Sequence, residues 1–195
     1  MDYRERIKNA YKELAAVRGF SRVTVDELAA RTGISKRTIY RYFHSKEEII
    51  DSVLNDFLFN AGQQIQQTFD SSGNPIEKIW SAIQVVTENI RLIQPTALYD
   101  LQKYYPHLWE KIERFREQKI QQFYVNLLIE NKNGYFRNIN PKIFTTALLA
   151  SVRSVVNPNF LMENNLSPEE TIKSLFTLFM YGVVSESGET QDRNK

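Results

Sequence analysis

The chain has 195 residues, with 25 Lys and Arg, 23 Asp and Glu, two His and no Cys, and its 42 % hydrophobic content is typical of a globular protein. The absence of cysteine excludes disulfide scaffolds, thiolate catalysis and Cys-ligated metal sites. No apolar run approaches the roughly 18 residues that a membrane-spanning helix needs, and the polar N-terminus is unlike a signal peptide. We therefore expect a cytoplasmic protein without a membrane partner.

The net charge of +2 conceals an asymmetry along the chain. Residues 1–46 hold eleven Lys and Arg against five Asp and Glu, a net +6, whereas residues 47–195 hold fourteen against eighteen, a net −4. A basic segment followed by an acidic one suggests a part that meets a polyanion and a part with another task. A solvated basic surface with no partner is the alternative, and charge alone leaves both open.

The first helix is predicted from Asp2 to Arg18, where apolar residues recur at steps of three and four. Gly19 ends this helix in the manner typical of a C-terminal glycine. We expect the apolar residues to form one buried stripe on an otherwise charged rod. The residues of this stripe are Ile7, Ala10, Tyr11, Leu14 and Val17.

Two short helices with clear start signals follow. Thr24 and Glu27 have the spacing of a capping box, in which each residue's side chain accepts a hydrogen bond from the other's backbone amide. The helix that this box starts should stop at Gly33. Ser35 then caps a second short helix over residues 36–42, which leaves basic and aromatic side chains near the surface.

The remaining chain predicts a series of longer helices. One starts at Lys46, with Ser45 as its cap, and runs to about Phe69, so that it is about 35 Å long. Five more are predicted at 76–93, 96–105, 107–131, 141–156 and 168–184. The polar stretch 186–195 is predicted to be a disordered tail. The expected fold is all-α with about nine helices, divided into residues 1–46 and a helical body over residues 47–185.

The short helix over residues 36–42 and the helix before it form a helix-turn-helix, whose second helix enters the major groove of DNA. Lys36 and Arg37 can reach guanine edges or phosphates, and Thr38 and Tyr40 offer hydroxyl groups to base edges or phosphates. Lys46, at the start of the next helix, adds its charge to free amides that suit a phosphate oxygen. Double-stranded DNA is therefore the expected polyanion.

Residues 19–50 resemble the DNA-binding domain of tetracycline-repressor-type (TetR/AcrR-like) transcriptional regulators. The segment reads GFSRVTVDELAARTGISKRTIYRYFHSKEEII, and the resemblance is strong over residues 5–55. Beyond that range it extends to helical content and length. The matching elements are Gly19-Phe20, Thr24, Leu28-Ala29, Gly33-Ile34-Ser35, Thr38-Ile39-Tyr40, Tyr42-Phe43 and Ser45-Lys46-Glu47.

The resemblance implies two sets of DNA-contacting residues in an N-terminal three-helix domain. The groove-facing set is Lys36, Arg37, Thr38 and Tyr40. The phosphate-contacting set is Thr24, Tyr42 and Lys46. Many relatives carry glycine or another small residue at the position of Arg37, so a base contact and a phosphate contact both stay open for its guanidinium.

The last predicted helix, over residues 168–184, is apolar around most of its circumference and must be covered on all sides. The helix over residues 141–156 has a similarly broad apolar face. We expect both helices to pair with those of a second copy in a four-helix bundle, as the resemblance also implies, although an internal core helix is the alternative. The expected contact residues of this homodimer are Phe144, Leu148, Val152, Leu175, Phe176 and Phe179.

The middle helices are unusually aromatic, and polar side chains such as Asp100 lie between the aromatic ones. Plain core packing explains such a pattern, but a few polar groups in an apolar cavity also suit a small molecule. The resemblance implies that an effector binds there and favours a conformation that no longer fits DNA. The candidate pocket residues are Trp80, Gln84, Thr87, Tyr99, Lys119 and Phe123.

The sequence lacks the nucleophile, phosphate-binding and zinc motifs of enzymes, so neither catalysis nor a cofactor or metal ion is expected. The predicted function is that of a ligand-responsive transcriptional regulator, by family habit a repressor. It would bind a palindromic operator as a dimer, and a small apolar or aromatic effector would release it. The alternative is a ligand-independent dimeric DNA-binding regulator, whose body serves only for dimerisation or for recruiting a protein partner.

Overall fold

The computed structural model describes residues 2–129 and 134–183, and all ten secondary-structure elements in these residues are α-helices. This confirms the all-α prediction, while the predicted tail at 186–195 lies outside the described residues. The helices are α1 (Tyr3–Arg18), α2 (Val25–Thr32), α3 (Lys36–Tyr42), α4 (Lys46–Asp70), α5 (Pro75–Ile90), α6 (Pro95–Tyr104), α7 (Pro106–Ile129), α8 (Pro141–Val155), α9 (Pro158–Glu163) and α10 (Pro168–Val183).

The additional helix is α9, which lies between the predicted helices over residues 141–156 and 168–184. Asn157 caps α9 by accepting a hydrogen bond from the backbone N–H of Asn159 at 3.0 Å. Pro158 occupies the first turn, where a proline loses no hydrogen bond because its missing N–H would have had no helical partner. A cap and a proline at the first helical position therefore start α9 two residues after the C-cap of α8.

The described residues form two compact units. The head unit comprises the residues up to Asn60 together with Leu92–Ile112, and the body unit comprises Ala61–Arg91 and the residues from Glu113 onward. The head unit therefore contains α1, α2, α3 and α6, with parts of α4 and α7. The inclusion of α6 means that residues far along the chain pack with the N-terminal helices.

In the head unit, α1 packs against α2, α3 and α6, and Ile7 and Tyr11 are almost fully buried. The predicted stripe is wrong at Val17, which is 82 % exposed, whereas Ala15 is buried. The buried face of α1 is rotated toward Lys8, whose ammonium group bonds Asp56 at 2.5 Å. Burial lowers the pKa of Lys8, but its hydrogen bonds to Asp56 and Glu5 outweigh that effect and raise the pKa above its ordinary value.

In the body unit, α10 packs against α5 and α8, and α8 also packs against α9. An apolar cluster of buried residues forms the core of this unit. Its members are Ile76, Ile79, Ile83, Ile120, Phe136, Phe144, Leu148, Val152, Val156, Ile172, Leu175 and Met180. The rings of Phe144 and Phe179 meet edge to face, with their centroids 5.5 Å apart.

No helix in residues 2–129 and 134–183 is both long and apolar enough to cross a bilayer. Within the same ranges, no three His, Asp or Glu side chains are grouped so as to hold a metal ion.

Candidate nucleic-acid interface

The turn between α2 and α3 fixes where α3 begins. Gly33 ends α2 in the left-handed conformation, with φ 63° and ψ 20°, which a residue with a Cβ adopts only with strain. Ile34 is buried, and Ser35 caps α3 by accepting a hydrogen bond from the amide of Thr38 at 3.1 Å. The turn thus holds α3 through one glycine, one buried side chain and one cap, as the sequence predicts.

The start of α2 has the predicted capping box. The Thr24 hydroxyl accepts from the Glu27 amide at 3.2 Å, and the Glu27 carboxylate accepts from the Thr24 amide at 2.9 Å. Glu27 also pairs with Arg18 at the end of α1. The hydrogen bond from the Thr24 backbone and the nearby Arg18 charge lower the pKa of Glu27. Because the Thr24 hydroxyl donates to the same carboxylate at 3.1 Å, a phosphate contact would require it to leave Glu27.

The predicted groove-facing residues lie on α3 around one fully buried residue, Ile39. Lys36, Arg37 and Tyr40 are exposed, and at 100° per residue they occupy an arc of about 100° on the helix. Thr38 lies outside this arc, and its hydroxyl is 2.9 Å from that of Ser35. The structure therefore brings three of the four predicted residues together on one exposed surface.

The three exposed residues of the predicted groove-facing set differ in their surroundings. The ammonium group of Lys36 forms an ion pair with Asp26, in the first turn of α2. Arg37 is exposed and forms no ion pair with the residues that the structure describes. Tyr40 is 48 % exposed. A phosphate or a base edge can therefore approach Arg37 without displacing a carboxylate, whereas Lys36 would exchange Asp26 for the new partner.

The C-terminal end of α3 is held by the first turn of α1. The Arg4 guanidinium donates to the Tyr42 carbonyl at 3.0 Å and lies 4.4 Å above the centroid of the Phe43 ring. The Tyr3 and Tyr42 rings have centroids 5.8 Å apart. Sequence reasoning missed this contact, since nothing in the pattern of α1 distinguishes Arg4 from its other surface arginines.

Lys46, predicted to contact phosphate, opens α4 and bonds the loop between α1 and α2. Its ammonium group donates to the Ser21 carbonyl at 2.5 Å. Burial lowers the pKa of Lys46, and the nearby negative charges of Asp100 and Glu27 partly offset this effect. An ammonium group has three protons, so the bond to Ser21 leaves donors available to a second acceptor.

The candidate pocket residues are distributed over both units. Tyr99 belongs to the head unit, while Trp80, Gln84, Thr87 and Lys119 belong to the body unit. Trp80 packs against the apolar cluster of the body unit, and the buried Thr87 hydroxyl donates to the Gln84 carbonyl at 3.0 Å. The Gln84 side chain is exposed, and its role in a pocket stays a prediction.

All six pocket residues stay predictions, and the remaining two lie on α7. The Lys119 ammonium group lies 6.0 Å from the centroid of the Phe115 ring, on α7. Phe123 is also on α7, but its side chain lies outside the described residues. No contact of the described residues tests whether either side chain meets a small molecule.

The predicted dimer contacts require a correction. Phe144, Leu148, Val152 and Leu175 are buried in the core of the body unit, so they present no surface to a second copy. Phe176 and Phe179 are partly buried against the same core. The large apolar side chains that are exposed on the described parts of α8 and α10 are Ile143, Leu178 and Tyr181, with exposed fractions of 67 %, 69 % and 71 %. Since one position turns a helix by 100°, these residues lie on a different face from the predicted contacts, and pairing of the two helices with a second copy stays a prediction.

Comparisons with known proteins place the head unit in a family. Residues 8–53 match the family model of bacterial regulatory proteins, tetR family. The protein named uncharacterized HTH-type transcriptional regulator YvaF, from Bacillus subtilis, is 26 % identical over 171 residues, which are 87 % of this chain and 89 % of that protein. The HTH-type transcriptional repressor KstR2 of Mycolicibacterium smegmatis is 38 % identical over 64 residues, which are 33 % of this chain and 31 % of the repressor.

The fold as a whole is also found among regulators. The solved structure of the ketosteroid transcriptional regulator KstR2 of Mycobacterium tuberculosis superposes with a TM-score of 0.61 and 22 % identity, covering 95 % of this chain and 96 % of that chain. At this identity the likeness concerns the fold. Together with the exposed surface of α3, the match over residues 8–53 identifies the N-terminal part of the chain, from α1 to the start of α4, as the DNA-binding domain of a tetR-family transcriptional regulator.

Proposed function

We propose that the protein binds a palindromic operator as a homodimer, acts as a repressor, and is released by a small apolar or aromatic effector. The observation that carries this proposal is the exposed arc of α3, with Lys36, Arg37 and Tyr40 around the buried Ile39. This arrangement supports insertion of α3 into the major groove with the three side chains toward base edges. Thr38, at the side of the arc, would meet a base edge or the flanking backbone.

The phosphate contacts of the proposal are Thr24, Tyr42 and Lys46. Tyr42 is half-buried at the end of α3, and its ring is held between Tyr3 and Arg41, whose guanidinium carbon lies 5.5 Å from the ring centroid. A tyrosine held in this way would donate its hydroxyl to phosphate at little further loss of side-chain entropy. Lys46 would use the protons that Ser21 leaves available.

We propose that a second copy covers the exposed stripes of α8 and α10. The stripe on α8 combines Ile143 with small residues, and the stripe on α10 combines Leu178 and Tyr181 with Gly182. A Cβ built on Gly182 meets nothing within 4 Å, which would let a neighbouring helix approach closely. A two-fold axis through these stripes would present two heads to half-sites about one helical turn, or a multiple of it, apart.

Two observations support an apolar or aromatic effector: the apolar core of the body unit and the name of a solved regulator with a similar fold. The described part of the body unit contains a large cluster of buried apolar residues, and Trp80 packs against it. The solved structure with a similar fold is named a ketosteroid transcriptional regulator. A panel of ketosteroids and other apolar ring compounds should contain one that raises the melting temperature and releases labelled DNA. A panel in which every compound leaves both quantities unchanged would favour the ligand-independent alternative.

The site itself is tested by five substitutions measured in a gel shift at about 0.1 M salt. The probe is a duplex recovered by selecting bound sequences from a random pool. Tyr42→Ala and Lys46→Ala should weaken binding to all duplexes, whereas Lys36→Ala, Arg37→Ala and Tyr40→Ala should change the preferred sequence. If all five variants bind the probe as the wild type does, the proposed site is wrong.

A further inference from the structure

The loop between α1 and α2 is held by side chains from three helices. The Tyr11 hydroxyl, from α1, donates to the Phe20 carbonyl at 2.6 Å. Lys46, from α4, donates to the carbonyl of the next residue, Ser21, at 2.5 Å. Asp100, from α6, accepts hydrogen bonds from both the backbone N–H and the hydroxyl of Ser21. Every polar group of Ser21 is therefore engaged.

Asp100 is the most distant of these anchors in sequence, 79 positions from Ser21. It is 8 % exposed and follows the apolar residues Ala97 and Leu98 on the buried face of α6. Its carboxylate also fills the space beside Gly19, where a Cβ would lie 3.2 Å from one of its oxygens. A buried carboxylate that accepts two hydrogen bonds in a fitted space holds its partner in one place.

Ser21 links Asp100 to Lys46, because the two side chains bond opposite ends of the same residue. Displacement of Ser21 would remove the acceptor that orients the Lys46 ammonium group. The same displacement would shift the chain that enters the capping box at Thr24, three residues later. Both of these residues belong to the proposed phosphate-contacting set.

We propose that Asp100 is a positioning residue for DNA binding, which acts through Ser21 to orient Lys46 toward the phosphate backbone. This inference rests on the proposed phosphate contact of Lys46. Asp100 itself does not touch DNA in this account. Its negative charge alone would weaken DNA binding, so the proposal requires that the positioning effect outweigh the repulsion.

The test measures DNA affinity by fluorescence anisotropy between about 50 and 200 mM salt, with a labelled mixed-sequence duplex of about 30 base pairs. The full-length variants are Lys46→Gln, Ser21→Ala, Asp100→Asn and the double variant Asp100→Asn with Lys46→Gln. Ser21→Ala removes one bond to Asp100 without changing any charge. Asp56→Asn is the matched control. It makes the same change of side chain in the head unit, but the carboxylate that it removes accepts a hydrogen bond from the buried Lys8 and not from Ser21.

A lost phosphate contact reduces the slope of log affinity against log salt by about 0.9 per bound head. Lys46→Gln should show this loss, with affinity about tenfold lower. Asp100→Asn should lose most of the same slope, Ser21→Ala should lose part of it, and the double variant should bind no more weakly than Lys46→Gln. Asp56→Asn should lower the melting temperature and leave the slope unchanged.

The outcomes separate the inference from the proposed site. An unchanged slope in Lys46→Gln contradicts the phosphate contact of Lys46. If that slope falls while Asp100→Asn keeps the wild-type slope, binds more tightly, or loses affinity additively with Lys46→Gln, Asp100 does not position Lys46. Should melting show that Asp100→Asn is unfolded at the assay temperature, Ser21→Ala decides the same question.

Discussion

The head unit and the body unit hold their helices together by different means. In the head unit, buried or half-buried polar groups such as Lys8, Asp100 and Lys46 join distant segments through hydrogen bonds. The core of the body unit, as far as it is described, is an apolar cluster in which side chains meet through packing. Directional bonds fix positions more narrowly than apolar packing does.

This difference matches the tasks proposed for the two units. A surface that contacts base edges must hold its side chains to within a fraction of an ångström, which favours caps and hydrogen-bonded anchors. A surface that meets a second copy of the chain needs complementary shape and apolar area, which the exposed stripes of α8 and α10 offer. We therefore expect substitutions in the two units to fail in different ways.

The largest expected effect is in the body unit. Leu178→Arg would place an unpaired charge in the proposed contact of two copies, at a cost of about 3 kcal/mol or more, which raises the dimer dissociation constant over 100-fold. Sedimentation equilibrium should then show monomers at micromolar concentration, and the variant should bind the operator much more weakly than the wild type does. Val17→Arg is the control, since Val17 is 82 % exposed on the head unit. A dimer that survives Leu178→Arg would refute the contact.

The next effect is in the head unit. Arg37→Ala should lower affinity for the selected duplex about tenfold to a hundredfold if the guanidinium contacts a base, and it should relax the preference at one position of each half-site. Arg31→Ala removes the same charge from an arginine that pairs with Glu13 at 2.9 Å, away from the exposed arc. Equal losses in both variants would mean that Arg37 acts by charge alone.

A smaller effect concerns the turn that sets α3. Gly33→Ala should destabilise the protein by about 1 kcal/mol, since φ at this position is +63°. This corresponds to a fall of about 2 to 4 °C in melting temperature for a chain of this length. Gly33→Asn should lose less, because asparagine tolerates the left-handed region. Identical melting of the wild type and Gly33→Ala would contradict the geometry of the turn.

The smallest effect is a pH dependence at the start of α2. The pKa of Glu27 is lowered below its ordinary value of 4.5, so the stabilisation from its hydrogen bond with Thr24 is present above pH 4.5. It is lost as the pH falls through the lower pKa of the folded state. Melting temperatures of Glu27→Gln should therefore fall less steeply than those of the wild type below pH 4.5. Parallel curves for the two proteins would exclude this contribution.

The sequence predicts those parts of the structure that depend on interactions between residues close together in the chain. The capping box of Thr24 and Glu27, the stop at Gly33 and the cap at Ser35 each depend on neighbours within three positions. The same signals predict which side chains of α3 are exposed, because the start of α3 follows from its cap and its rotation from the buried Ile39.

The remaining parts depend on tertiary contacts. Asp100 meets Ser21 across 79 positions, and its one signal in the sequence is an acid among the apolar residues of α6. On α8, Ile143 and Phe144 are equally apolar, and only the packing of α10 and α5 decides which of the two is buried. A broad apolar pattern identifies such helices but leaves their rotation undetermined.

The central claim is that two copies of α3 bind the two halves of a palindrome. Selection of bound sequences from a random duplex pool by the full-length protein tests it most directly. The wild type should enrich a motif with two inverted half-sites whose centres are about one helical turn, or a multiple of it, apart. The same selection with Arg37→Ala should show a changed base preference at one position of each half-site. A single unpaired half-site, or no enrichment over the starting pool, would contradict the account.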